Sequence, residues 1–227
     1  MKKNYFSLME LLVTIAIIAI LAALFVVGFS KSKEKASSTQ CISNLRNLQT
    51  ALATYGSDNN SKFPEFMNDE HWFAGVKGTS GLTATARPLN QYIGAKIRDD
   101  QELKQLTCPS ILGAAKYEQQ GNSYAFNESW GTNIILPPVS STSSNSLKYI
   151  YNVKSPSRMI GFGDTEFKGF SKGGYGKSAS QMKALQNHTF APDYFWNIGV
   201  IGGSAKTLEM TVGADYSSQY TMTGDES

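Results

Sequence analysis

The sequence predicts an α+β protein: a long N-terminal helix, half membrane-spanning and half amphipathic, packed on a C-terminal antiparallel β-sheet head. Three observations predict it. Leu11 to Phe29 is a run of 19 residues that are apolar or small except for Thr14. Cys41, Leu45, Leu48, Leu52 and Tyr55 then recur at spacings of four, three, four and three, and beyond Pro64 the chain breaks into short aromatic segments separated by turn residues. With 227 residues and 41% hydrophobic content, such a chain can bury a sizeable core.

At ~1.5 Å rise per residue the apolar run makes roughly 28 Å of helix, close to the hydrocarbon thickness of a bilayer. Residues 6–29 are therefore expected to be a single transmembrane helix. A cleaved secretory signal has a shorter apolar part of ~7 to 15 residues. Lys2 and Lys3 precede the segment and Lys31, Lys33 and Lys35 follow it, so charge leaves its orientation open. Only Gly28 and Gly56 interrupt the chain before Pro64, and helix is expected from about Ser7 to about Tyr55. Residues 30–60 continue it as an amphipathic helix whose apolar stripe needs a cover. Gly56 to Pro64, GSDNNSKFP, supplies the stop.

Residues 61–227 are read as the head. Strand candidates are Asn122 to Phe126, Leu147 to Val153, Arg158 to Phe162, Tyr194 to Ile201 and Ser204 to Val212, the last two joined through a two-residue turn at Gly202-Gly203. Arg98 to Leu106 and Ser180 to Asn187 suit short helices, and the tail after Asp215 is expected to fray. Phe190, Tyr194, Phe195 and Trp196 read as sheet core, with an exposed carbohydrate or partner surface as the lesser alternative.

The net charge of +3 lies wholly in the first 35 residues; from Ala36 onward there are 16 basic and 16 acidic residues. The body offers no electrostatic footprint for nucleic acid. Cys41 and Cys108 are the only cysteines, and they suit either a disulfide tying helix to head or two separate thiols. Local spacing argues against zinc, since there is no CxxC and the histidines are His71 and His188 alone. No metal site is expected. Asp164, Glu166, His188 and Asp193 have no spacing that selects an acid-base or metal cluster; His188 reads as a structural hydrogen-bonding residue and Asp164 as a strand-end cap.

The segment FSLMELLVTIAIIAILAAL, preceded by two lysines and followed by KSKEKA and NLRNLQTALATYGSDNNSKFP, closely resembles the N-terminal region of type IV pilins and type II secretion pseudopilins. TCPS, SYAFN and VKSPSRMIGFGD look more loosely like the head of pseudopilin-like proteins. The resemblance implies a leader at 1–5, cleavage by a prepilin peptidase between Tyr5 and Phe6, methylation of the new amino terminus, and self-assembly into a helical fibre on an inner-membrane platform. It implies a single-pass inner-membrane protein with its head outside the cytoplasm, periplasmic or on the cell surface after assembly. Glu10 then has a role. Cutting before Phe6 places the new ammonium four residues ahead of it, and in the fibre the carboxylate pairs with a neighbour's amino terminus. An unpaired carboxylate in hydrocarbon would cost ~2.5 to 3.5 kcal/mol or more; read from its position alone, Glu10 also suits an interfacial carboxylate that reaches headgroup water.

The chain departs from the family pattern at three points. Tyr5 stands where a Gly is usual, Val27 where many relatives have a proline, and Gly202 where an Asp would complete a C-terminal His and Asp-Gly motif beginning at His188. Some secretion pseudopilins bind calcium through acidic loops near the C-terminus, for which Asp215, Asp225 and Glu226 are candidates by location; otherwise no cofactor is expected. The reading is a non-enzymatic structural subunit of a pseudopilus or pilus-like fibre. Its rival is a membrane-anchored extracytoplasmic binding domain that does not assemble, and a hydrolase using Asp164 and His188 stands third.

Overall fold

The computed structural model describes residues 7–64, 71–79, 83–94, 98–101, 103–127, 150–165, 167, 181, 188, 195–210 and 217–222. One helix, α1 (Leu8–Asp58), is 51 residues long and continuous through Gly28. It begins at a capping box: the Ser7 side chain accepts from Met9 N–H, and the Glu10 carboxylate accepts the Ser7 N–H at 2.8 Å. It ends two residues beyond Gly56, where Asn60 and Ser61 take left-handed φ values of 54° and 58° and reverse the chain. Asn tolerates that region because its short polar side chain can bond locally.

Four strands follow in order β1 (Tyr124–Phe126), β2 (Ile160–Asp164), β3 (Phe195–Val200) and β4 (Ala205–Glu209), each antiparallel to the next. The α+β class and the antiparallel sheet expected from the sequence are both present. α1 lies across one face of this sheet. Cys41, Leu45, Leu48 and Leu52, buried to 1% or less, form one core with Tyr124, Phe126 and Phe162, while Phe73 and Phe63 close its end. Pleat alternation sends Ala125, Trp196, Ile198, Val200 and Leu208 to the other face, and the register shift between Ile160 and Phe162 places Ile160 there as well; Phe167, Tyr220 and Met222 cover them. The helix comes very close to the sheet at its centre. A Cβ at Gly161 or at Gly199 would stand 2.8 Å from Gln49 Nε2, so a larger residue at either position would have to displace the Gln49 side chain.

Several expected elements take other forms. Inside the bond from Val200 N–H to Ser204 O three residues turn the chain, with Gly203 alone at positive φ (93°), so the β3–β4 hairpin closes through a bulged turn and not a two-residue one. Residues 150–152 are a 3-10 turn where a strand was expected, because Ile150 N–H bonds to Ser61 O and docks this segment on the end of α1. Two further helices were not anticipated, a single turn at Asn90–Ile93 and α2 (Ile111–Gln120), whose pattern Gly113 hides. The tail is not frayed at 217–222: Tyr220, Thr221 and Met222 are buried, and Thr221 exchanges backbone bonds with Arg158 and Ile160.

The expected transmembrane helix, and with it the single-pass inner-membrane placement, is overturned. Among the described residues no helix is long and apolar enough to cross a membrane. The side chains from Leu8 to Leu24 at this end of α1 are all exposed. The large apolar ones among them are exposed, from 49% at Val13 to 80% at Leu8, so α1 has an uncovered first half and a buried stripe in its second.

The two halves should respond differently to the same truncation. Leu45→Ala is expected to lower head stability by about 2 to 5 kcal/mol through transfer and cavity costs, whereas Leu11→Ala should shift it by less than about 0.5 kcal/mol. Urea unfolding followed by Trp fluorescence checks both.

Candidate functional site

The most polar part of the helix-to-sheet interface lies at the start of the stripe. Cys41 is its first apolar position, facing the sheet. Asn44, one turn further on, donates through Nδ2 to the carbonyls of Lys104 and Thr107, both at 3.2 Å, and to the Tyr124 hydroxyl at 2.9 Å. The segment before Cys108 is thereby clamped to α1 and to β1. Ser123 N–H adds a bond to Leu106 O at 2.8 Å, and Cys108 is delivered beside Cys41.

Asp164 ends β2 directly opposite Tyr124, so both side chains face α1. Its Oδ2 accepts the Asn197 N–H at 3.0 Å, as expected of a residue that closes a strand end. His188 completes the group, its Nε2 standing 3.3 Å from Cys41 Sγ and 3.4 Å from Cys108 Sγ. One donor atom from each of Cys41, Cys108, Asp164 and His188 lies within 4.8 Å of all the others. Each of the four residues is 4% exposed or less.

Chemically this is a buried set of two sulfurs, one imidazole and one carboxylate. Both cysteines are free thiols here, and the fold brings the pair together. The Cys41 thiol donating to Cys108, reinforced by His188, pulls Cys108 down to about 5 against the opposing effect of burial. Donation to Cys108, together with burial and the charge of Asp164, pushes Cys41 well above the ordinary thiol range. For His188 burial acts downward, but the Cys108 bond and the Asp164 charge outweigh it, and its basicity rises above the ordinary 6.5. The cluster retains one thiol proton where two free thiols would each titrate independently.

Of the residues weighed from the sequence, Asp164 and His188 are together, joined by the two cysteines. Glu166, Asp193, Asp215, Asp225 and Glu226 lie outside the described residues, as do Tyr5 and Phe6 at the expected cut. Glu10 is exposed at the head of α1. Spacing rules cannot find a cluster drawn from positions 41, 108, 164 and 188, since each ligand comes from a different part of the chain. The signal that was present is scarcity: two cysteines in a chain with a well-formed core, already readable as a pair. No protein-family model matches the chain, and no curated protein or solved structure matches it either.

The pH dependence of the cluster follows from these shifts. The folded Cys108 value lies below the unfolded 9.0, so its contribution to stability is full above 9.0 and is lost as pH falls toward about 5. His188, raised, contributes fully below 6.5 and loses that contribution as pH rises through its folded value; Cys41, raised, contributes fully below 9.0 and loses its share above that. With chelator and reductant present, stability should therefore climb between pH 5 and 6.5, where the unfolded chain holds the extra proton, and fall above pH 9. Urea midpoints across that range check the profile, and Cys108→Ser should remove the acid-side rise.

Proposed function

We propose that the chain is a structural subunit of a type II secretion pseudopilus or type IV pilus-like fibre, polymerising through the N-terminal half of α1. The observation that supports this most is the contrast along one helix. A folded head holds residues 38–52 of α1, while Leu8, Met9, Leu11, Leu12, Ile15 and Ile18 stand 53% to 80% exposed with no cover from the head. An apolar surface of this extent marks association. Packing against the same segment of neighbouring copies would bury it, and a head fixed to the end of a long helix suits display from a fibre.

Glu10 has two states in this reading. In the single chain its carboxylate caps its own helix through the Ser7 N–H. A carboxylate has lone pairs for further donors, so the cap leaves capacity for the ammonium of a neighbour's Phe6 once a prepilin peptidase has cut after Tyr5. Methylation of that amine and delivery by an assembly platform complete the proposed route. The reading assigns no catalysis; the Cys, His and Asp cluster is 4% exposed or less.

Two variants separate the capping role of Glu10 from the pairing role. Ser7→Ala weakens the cap and leaves the carboxylate, so it should still assemble; Glu10→Ala should be lost from fibres while its head folds normally. Fibre incorporation is read by shear fractionation. Intact mass should show loss of Met1 to Tyr5 with addition of one methyl, and normal fibres from Glu10→Ala would refute the pairing.

A further inference from the structure

We propose that Cys41, Cys108, His188 and Asp164 together bind one structural zinc ion that locks α1 to the head. The donor separations suit a four-ligand site. Ligands at about 2.3 Å for sulfur and 2.0 to 2.1 Å for nitrogen from a common centre stand about 3.5 Å apart at the tetrahedral angle. The two sulfur-to-Nε2 distances of 3.3 and 3.4 Å fall close to this separation, and no pair of donor atoms exceeds 4.8 Å.

Donor type selects the metal. Two thiolates with an imidazole favour zinc over the hard, oxygen-seeking cations calcium and magnesium. Four protein ligands with no exposed position make a closed site, the form that structural zinc takes; a catalytic zinc needs a place for water or substrate. The same enclosure argues against reading Cys108, His188 and Asp164 as a nucleophile, base and orienting acid, because no substrate reaches Sγ and a second thiol occupies the approach.

A supporting shell is already in place. The Asn44 amide donates to the Tyr124 hydroxyl, which leaves that hydroxyl's own proton directed at Cys41. Ser110 Oγ stands 3.3 Å from Cys108 Sγ, and the Asn197 N–H holds Asp164 Oδ2 at 3.0 Å. Partners of this kind orient ligands and strengthen them. Charge balance is compatible with this: on binding, Cys41 would give up its proton, and two thiolates and a carboxylate would then face one divalent ion. Each ligand comes from a different part of the chain, with Cys41 on α1, Cys108 in the clamp segment and Asp164 on β2, so one ion closes the interface at its polar end.

The test uses the full chain, reduced and stripped with chelator, then titrated with cobalt(II) and zinc(II). Cobalt is expected to bind at one equivalent, with the strong visible bands of a tetrahedral ion and a thiolate charge-transfer band in the near ultraviolet. Zinc should displace it stoichiometrically and raise the thermal midpoint. The Cys41→Ser, Cys108→Ser double variant should lose both bands. Tyr124→Phe, which keeps all four ligands, should weaken zinc affinity about 10-fold to 100-fold. The wild-type spectrum does not depend on any variant folding. Absence of cobalt binding, an octahedral spectrum without thiolate charge transfer, zinc affinity unchanged in the double variant, or a Cys41 to Cys108 disulfide in the native protein would each overturn the assignment. Fibre assembly plays no part in these readouts, so they stand apart from the test of Glu10.

Discussion

The head depends on the covering of one helix face. Cys41, Leu45, Leu48 and Leu52 form a stripe on a helix that cannot shield them itself, and the sheet meets it with Tyr124, Phe126 and Phe162. At the centre the two glycines Gly161 and Gly199 leave room for the Gln49 side chain between helix and sheet. Deep burial of the stripe leaves polar groups at its margin that need partners. Asn44 answers that need by serving three acceptors at once, and in doing so it draws the Cys108 segment against α1. The cysteine pair is thus a product of packing at the helix, and the other two members of the cluster reach it from β2 and from the chain between β2 and β3.

Much of this fold was legible in the residues. The four-three-four-three spacing identified the buried stripe, the absence of proline identified one long helix, and alternating aromatic segments located β1 through β4 to within a few residues. Local pattern failed where tertiary contacts decide. Ile150 was read within a strand but bonds to Ser61 at the end of α1; residues 217–222 read as a loose tail but carry Tyr220 and Met222 into the far core. The cluster was invisible for a related reason. Periodicity reports neighbours within an element, and His188, Asp164, Cys108 and Cys41 are neighbours only once four separate parts of the chain have met.

The apolar run taught a different lesson. Hydropathy alone reads Leu11 to Phe29 as a span, but a helix has other ways to satisfy an apolar surface, and association with copies of itself is one. Its first residues carry a capping box that would be complete in water, with Ser7 and Glu10 bonding reciprocally. A carboxylate engaged in this way has a defined position at the helix start, so its direction is set before any partner arrives.

Because α1 is a single uninterrupted helix, its exposed and buried halves share one rotational phase. Each residue turns the helix by about 100° and advances it ~1.5 Å. A single insertion between Phe29 and Ser38 would leave the head and the apolar segment individually intact, yet it would swing one about the other by more than a quarter turn. Seven inserted residues would nearly restore the original angle. The length of the stretch Lys31 to Ser37, largely polar and largely exposed, therefore sets the azimuth of the head relative to the exposed apolar half of α1, and in the proposed fibre it would set the direction in which each head projects.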